Sequence, residues 1–137
     1  MTTDLWILVA SAMLVPALTL PIAAARGQVP KGNAWGFGNR DTPLEGTPAW
    51  GDRAVRAHMN LVENLPTYAV LVLIAHAIGA TYATTAIGGG IFLGARVLHA
   101  AVYIAGVPYI RTAAFGLCQL GNLIYLWQIA VHGGAGY

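Results

Sequence analysis

Two long runs without charged residues constrain most strongly what this chain can fold into. The stretch 5–25 has 21 residues and the stretch 64–95 has 32 residues, all without Lys, Arg, Asp or Glu. A helix needs about 20 apolar residues to span the hydrocarbon core of a bilayer. Charged residues make up only 9% of the chain, whereas they make up about 25% of a soluble domain. The sequence therefore predicts an integral membrane protein.

The second run is too long for one membrane span, because a straight helix of that length would measure about 48 Å. A turn near Gly79 divides the run, and Gly106-Val107-Pro108 ends the helix that follows. We expect an all-α protein whose single domain, 1–137, is a bundle of four transmembrane helices at about 4–26, 52–79, 82–105 and 109–132. A polar loop, 27–51, joins the first two helices. Gly90 and Gly94 form a G-x-x-x-G motif that allows close helix contact within or between subunits.

The first and third loops carry the basic residues that predict the orientation. Arg26, Lys31 and Arg40 lie on or beside the first loop, and Arg111 lies beside the third. Cytoplasmic loops carry an excess of Lys and Arg. We therefore expect these two loops to face the cytoplasm and both termini to lie on the opposite side of the membrane. The aromatic residues of the first loop suit a linker at the membrane interface.

Three of the predicted helices carry polar residues three or four positions apart, a spacing that places them on one face. These residues are Arg53, Arg56, Asn60 and Glu63 on the second helix, Arg96, His99 and Tyr103 on the third, and Arg111, Gln119 and Asn122 on the fourth. Phe115 shares the stripe on the fourth helix, and Thr112 lies beside Arg111. A charge at the centre of a membrane helix costs at least about 2.5–3.5 kcal/mol on insertion scales, so such groups face protein or a water-filled cavity.

Two interpretations of these polar faces compete. In the first, Glu63, Arg96 and Asn60 pair with one another and only hold the helices together. In the second, the arginines bind a ligand, because the four on these helices outnumber Glu63 and Asp52 by two. Such a ligand has about two anionic groups and an ammonium for Glu63. Arginine suits carboxylates because its planar fork binds them bidentately.

Other site classes have little support in the sequence. The four histidines show no metal-ligand spacing, and the single cysteine, Cys118, forms no C-x-x-C pair. We therefore expect no metal. A net charge of +2 is too small to suggest a nucleic-acid partner. Cys118 and His76 are interpreted as packing residues of the apolar core.

The motif R-A-x-R-A-H-x-N-x-x-E-N-x-P, which begins at Arg53, resembles a motif of the MAPEG family, the membrane-associated proteins of eicosanoid and glutathione metabolism. The A-R-V-L-H-A-x-x-Y stretch from Ala95 and the P-Y-I-R-T stretch from Pro108 resemble the same family. The G-N-R-D sequence at Gly38 is similar to that of its bacterial members. The resemblance covers essentially the whole chain.

The resemblance implies a homotrimer in the bacterial inner membrane that binds glutathione between subunits, near the cytoplasmic side. Arg111 would stabilise the glutathione thiolate, and Thr112 supplies a hydroxyl beside it. The other residues would hold the tripeptide, with Glu63 on its ammonium: Arg53, Arg56, Asn60, Glu63, Arg96, His99 and Tyr103. Glutathione is then a co-substrate, and the second substrate is a lipophilic electrophile or hydroperoxide that arrives from the bilayer.

Two departures from the family pattern leave other functions open. Phe115 stands where some members have a tyrosine, and Met59 stands where many have a basic residue. These residues favour an alternative in which the chain is a non-catalytic accessory or scaffold subunit. A small transporter or channel is a third possibility. It is disfavoured because the polar faces are expected only in the half of the bundle that holds the first and third loops.

Overall fold

The computed structural model describes residues 1–133, and helices are the only regular elements in that part of the chain. The predicted all-α class is confirmed. The helices are α1 (Thr3–Ala17), α2 (Thr19–Gly27), α3 (Gly32–Phe37), α4 (Ala49–Ala77), α5 (Ala83–Ala105) and α6 (Pro108–His132).

Three helical segments are long and apolar enough to cross a membrane, namely Thr3–Gly27, α5 and α6. They indicate a multi-pass integral membrane protein. The helix α4 has 29 residues but is not among them. Its first half carries Arg53, Arg56 and Glu63, which lower the mean hydropathy of the helix. A fourth membrane span formed by α4 stays a prediction.

The first predicted helix, 4–26, is interrupted in the structure. Helices α1 and α2 meet at Leu18, whose amide still donates to the carbonyl of Leu14 (3.1 Å). The Thr19 hydroxyl donates to the carbonyl of Pro16 (2.7 Å). Pro21 then lies in the first turn of α2, where a helix does not need its missing amide hydrogen. The interruption is therefore confined to a single residue, Leu18.

The predicted polar loop, 27–51, contains a short helix that the glycine-rich sequence did not predict. This helix, α3, begins after Lys31 and is followed by Arg40, and both residues have positive φ angles, 63° and 61°. The Trp35 indole N–H donates to the carbonyl of Thr42. This hydrogen bond folds the loop back over α3. The segment that follows α2 therefore contains its own short helix and a loop hydrogen bond, which a simple linker would lack.

Close packing of α5 on α6 depends on two glycines that face each other. A Cβ atom at Gly121 would lie 2.7 Å from the carbonyl oxygen of Gly88. The predicted G-x-x-x-G motif is not used in this way, because a Cβ at Gly90 or Gly94 would meet no atom within 4 Å. Within the described chain, the motif therefore makes no close helix contact. Gly88 and Gly121 let the two backbones approach instead.

The core contains a polar group that the sequence pattern did not predict to be buried. Asp4 is only 3% exposed, and its Oδ1 accepts a hydrogen bond from the Tyr125 hydroxyl (2.8 Å). The Tyr125 ring meets Tyr68 edge-on at 5.7 Å, and Tyr68 stacks on Phe92 at 3.8 Å. Tyr125 lies 17 residues beyond Pro108, roughly 26 Å along α6. One buried carboxyl group therefore lies in the half of the bundle opposite the first and third loops, where no polar face was expected.

Candidate functional site

Arg96 lies at the centre of the predicted polar faces and is almost completely buried, at 1% exposure. Its Nη1 donates to Oδ1 of Asn60 (2.7 Å), which joins α5 to α4. Its Nε and Nη2 have no hydrogen-bond partner. The guanidinium lies against the rings of Phe92 (5.3 Å) and Phe115 (5.8 Å). Burying a charged group with unused donors is costly, so an acceptor that reached these two nitrogens would be bound favourably.

A cavity of about 320 Å³ lies beside this arginine, where α5 ends and α6 begins. Its lining residues come from three helices: Asn60 from α4, His99 and Tyr103 from α5, and Arg111, Thr112 and Phe115 from α6. Five of these six residues are among the predicted site residues. They meet because the loop between α5 and α6 is short, so the last turns of α5 lie against the first turns of α6.

Aromatic groups hold the basic residues of the cavity in place. The Arg111 guanidinium lies over the Tyr103 ring, with 4.5 Å between its Cζ and the ring centroid. His99 is 4% exposed and meets Tyr103 edge-on at 5.4 Å. A guanidinium held over the face of a ring can still use the N–H groups that point away from the ring as hydrogen-bond donors. Arg111 can therefore present donors to an anion in the cavity.

The Thr112 hydroxyl has a more limited role than its position in the motif suggests. Its Oγ1 donates to the carbonyl of Pro108 (3.2 Å), one turn earlier in α6. A hydroxyl has one donor hydrogen and two acceptor lone pairs. Once the hydrogen is used within the helix, the oxygen can still accept a hydrogen bond. The Thr112 oxygen can therefore accept a hydrogen bond from a donor group of a ligand, such as a thiol.

Arg53 lies outside the cavity, although it belongs to the same sequence motif. Its Nε donates to the carbonyl of Ile104 (2.8 Å) at the end of α5. The last carbonyls of a helix have no partner inside the helix, so a basic side chain there satisfies one of them. The structure gives Arg53 a helix-capping contact, and a role in ligand binding stays a prediction.

Arg56 and Glu63 are exposed on the outer face of α4 and do not line the cavity. The suggested pairing of Glu63 with Arg96 does not form, because Nη1 of Arg96 binds Asn60 and its other two nitrogens are unpartnered. Asn60 turns inward because it lies near Ala57 and Leu61, which are buried on the inner side of α4. Of the four residues predicted to share one face of α4, Arg56 and Glu63 therefore point away from the protein core.

A chain of amide side chains leads from the cavity into the bundle, and apart from Asn60 its members were not among the residues predicted to bind a ligand. Asn64 Nδ2 donates to the carbonyl of Asn60 (2.8 Å), and Gln119 Nε2 donates to Asn64 Oδ1 (3.4 Å). Asn122 Nδ2 donates to Gln119 Oε1 (3.1 Å), and its own Oδ1 has no partner. The stripe that Gln119 and Asn122 share with Arg111 on the fourth predicted helix was the signal in the sequence for this chain.

In the part of the chain that the structure describes, His, Cys, Asp and Glu residues form no group of three that could hold a metal ion. The side chains that line the cavity are cationic, hydroxyl, amide and aromatic.

The fold and the cavity define a class of protein: an all-helical, multi-pass membrane protein with a cationic cavity between three helices. More specifically, the chain belongs to the MAPEG family, whose family model matches residues 5–131. The resemblance of the motifs is thereby confirmed. No curated protein and no solved structure gives a significant match to the chain. Because the family includes both glutathione-dependent enzymes and non-catalytic members, membership alone does not decide the activity.

Proposed function

We propose that this protein is a glutathione-dependent membrane enzyme that conjugates or reduces lipophilic electrophiles or hydroperoxides. The observation that carries the proposal is the cavity where Arg111, Tyr103, His99 and Asn60 meet beside buried Arg96. Glutathione has two carboxylates, an ammonium and a thiol. A cavity that presents the Arg111 guanidinium and lies beside the buried Arg96, within an apolar bundle, suits an anionic peptide together with a lipid-soluble partner.

The proposed chemistry depends on Arg111. A free thiol has a pKa of about 8.5, so most of it is protonated at neutral pH. A guanidinium close to the sulfur favours the thiolate, which is the reactive form. With an aryl halide, the thiolate sulfur forms a bond to the ring carbon and the halide leaves with the bonding electron pair. Thr112 would accept the thiol hydrogen bond before ionisation.

We propose that the site is completed between copies of the chain in a homotrimer, in the inner membrane with the first and third loops in the cytoplasm. Arg56 and Glu63 support this proposal, because they are exposed on the outer face of α4, close to Asn60 in the chain. Charged side chains at membrane depth usually face a protein interior or a wet cavity. A neighbouring subunit would provide that environment, and glutathione would bring its ammonium to Glu63 there.

The test is conjugation of glutathione to an activated aryl chloride by the purified full-length protein in detergent. We expect wild-type turnover and a loss of at least about 100-fold in kcat/KM for Arg111→Ala, the size of effect seen when a group that stabilises a reacting anion is removed. Lys31→Ala serves as the matched control, because it removes one positive charge from the first loop, away from the cavity. Wild-type protein without turnover and without heat on titration with glutathione would overturn the proposal.

A second candidate function is a non-catalytic accessory subunit, and one observation favours it. Phe115 lies on the Arg96 guanidinium and lines the cavity, so an apolar ring takes up space beside the cationic groups. This candidate predicts stable co-purification with a larger membrane complex and no ligand in the cavity. Glutathione binding measured by calorimetry separates the two, because only the enzyme proposal requires it.

A further inference from the structure

Away from the cavity, two arginines converge on one tryptophan at the end of the first membrane-spanning segment. The Cζ atom of Arg26, in the last turn of α2, lies 5.0 Å from the centroid of the Trp35 ring. The Cζ atom of Arg40 lies 5.5 Å from the same centroid. A cation over an indole face is attracted to its π electrons. Trp35 therefore holds together two positive charges that would otherwise repel each other.

The geometry of Arg40 is set by the backbone. Its Nε and Nη2 both donate to the carbonyl of Gly36, at 3.3 Å and 2.9 Å. Its own φ angle of 61° turns the chain back toward α3. Non-glycine residues adopt this left-handed conformation uncommonly and at some cost. This unfavourable backbone conformation at Arg40 therefore keeps its guanidinium beside Trp35.

A cavity of about 170 Å³ lies between these two arginines. It is also lined by Asn33, Gly36 and Phe37, and it contains no acidic side chain. Asp52 and Arg26 together line a separate cavity of about 140 Å³. The space between the arginines is therefore a small cationic site with one amide donor or acceptor.

From this arrangement we infer that Arg26, Arg40 and Asn33 bind the phosphate of an anionic phospholipid headgroup. Guanidinium groups bind phosphate oxygens in a fork-like geometry. Arg26 lies at the end of the candidate span Thr3–Gly27, so the site is at the level of the headgroups. Phe37 beside it is 94% exposed, as expected for an aromatic ring that sits in the membrane interface. A soluble phosphate compound would use the two arginines but would gain nothing from Phe37.

The test uses the full-length protein, purified in a neutral detergent and titrated with phosphatidylglycerol or with phosphatidylcholine of the same acyl chains. Native mass spectrometry measures the apparent Kd of the first bound lipid. We expect the anionic lipid to bind at least about tenfold more tightly, since two basic groups near an anionic headgroup each contribute roughly a fivefold effect. Arg26→Gln and Arg40→Gln should each weaken phosphatidylglycerol binding by about fivefold or more. Arg40→Gln removes the two hydrogen bonds to the Gly36 carbonyl but leaves the Trp35–Thr42 hydrogen bond of the loop, and an unchanged circular dichroism spectrum checks that the fold is kept.

The matched control is Lys31→Gln, which makes the same change in charge on the same loop. Lys31 lines a different cavity, together with Glu45, so its replacement should leave the Kd within about twofold, the range of small surface effects. An equal loss in Lys31→Gln and Arg40→Gln would overturn the inference, because it would show unspecific attraction. Equal binding of the two lipids would overturn it as well. Displacement of the lipid by millimolar inorganic phosphate would show a site for soluble anions and would also count against it.

Discussion

At the scale of single residues, Arg96 shows how one buried charge organises the site. It is too deep for solvent and has one hydrogen bond, from Nη1 to Asn60. That bond places Asn60 at the cavity wall, and the same guanidinium contacts Phe115. The sequence motifs contain Asn60, Glu63 and Arg96 but do not show that Arg96 binds the amide of Asn60 rather than the carboxylate of Glu63. An uncharged partner leaves the positive charge of Arg96 uncompensated within one chain, which favours an anionic ligand.

Replacement of Asn60 tests this pairing. Asn60→Leu has a similar volume but cannot accept the hydrogen bond from Arg96, which is left buried with less compensation. We expect the free energy of unfolding to fall by about 1–3 kcal/mol, the range for a lost hydrogen bond to a buried charged group. Denaturant titration in mild detergent measures the change. Met59→Leu, on the exposed side of the same turn, should change it by less than about 0.5 kcal/mol, and an equal effect of both changes would contradict the assignment.

At the scale of elements, two kinds of contact hold the helices together. Small residues bring α5 and α6 into contact, as Gly88 and Gly121 show. A buried hydrogen bond between Asp4 and Tyr125 joins the start of α1 to the far end of α6. Both contacts lie away from the cavity. They fix the relative positions of the helices that carry the site residues.

The glycine contact can be tested with two substitutions in the same helix. Gly121→Ala would place a Cβ atom 2.7 Å from the backbone oxygen of Gly88, which forces the helices apart. We expect a loss of stability of about 1–3 kcal/mol, as for other overpacked positions. Gly116→Ala is the control, because its Cβ would meet nothing within 4 Å. It should leave stability unchanged or raise it by up to about 1 kcal/mol through helix propensity. Thermal unfolding in detergent compares the two, and equal destabilisation would refute the proposed contact.

The hydrogen bond between Asp4 and Tyr125 makes a separate prediction. Tyr125→Phe keeps the ring contact with Tyr68 but removes the donor, so the buried Asp4 carboxylate loses its partner. A cost of about 1–3 kcal/mol is expected. Asp4→Asn in the Tyr125→Phe background should restore part of the stability, because an amide is easier to bury than a carboxylate. A double-mutant cycle with no coupling between the two positions would show that the bond contributes nothing.

At the scale of the whole molecule, the cavity of one chain holds only part of the predicted site. Asn60, His99, Tyr103 and Arg111 meet there, whereas Glu63 points outward. The proposed trimer explains this division, since a neighbouring subunit would cover the outer face of α4. In the proposed enzyme, a single site would then take Glu63 from one copy and Arg111 from another.

Mixed oligomers test that division directly. Glu63→Gln and Arg111→Ala are each expected to lower activity by at least about tenfold at limiting glutathione, through binding in the first case and thiolate stabilisation in the second. When the two variants are co-expressed with different tags and only trimers that carry both tags are kept, about one third of the subunit boundaries combine both intact residues. Activity should recover to about a third of the wild-type value. Activity no higher than that of the single variants would place both residues in the same chain and contradict the shared site.

The helices could be predicted closely from the sequence, and the site only in part. Uncharged stretches and the Gly106-Val107-Pro108 break mark α5 and α6, because the residues of a span that face lipid must be apolar. The interruption at Leu18 and the helix α3 depend on particular hydrogen bonds, such as that of Trp35 with Thr42, which composition does not reveal. Periodicity placed Asn60 and Glu63 on one face, but a shared face spans a wide angle, and packing decides which edge turns inward.

The sequence by itself determined that this is an all-helical membrane protein of the MAPEG family with cationic residues on three helices. These properties follow from hydropathy, from the helical repeat and from motifs, all of which are local along the chain. Only the tertiary structure decided that Arg96 binds Asn60, that Arg53 caps α5, and that Asp4 is buried against Tyr125. Those contacts join residues 36 to 121 positions apart. They are chosen by the packing of helices against each other, which no single stretch of the sequence specifies.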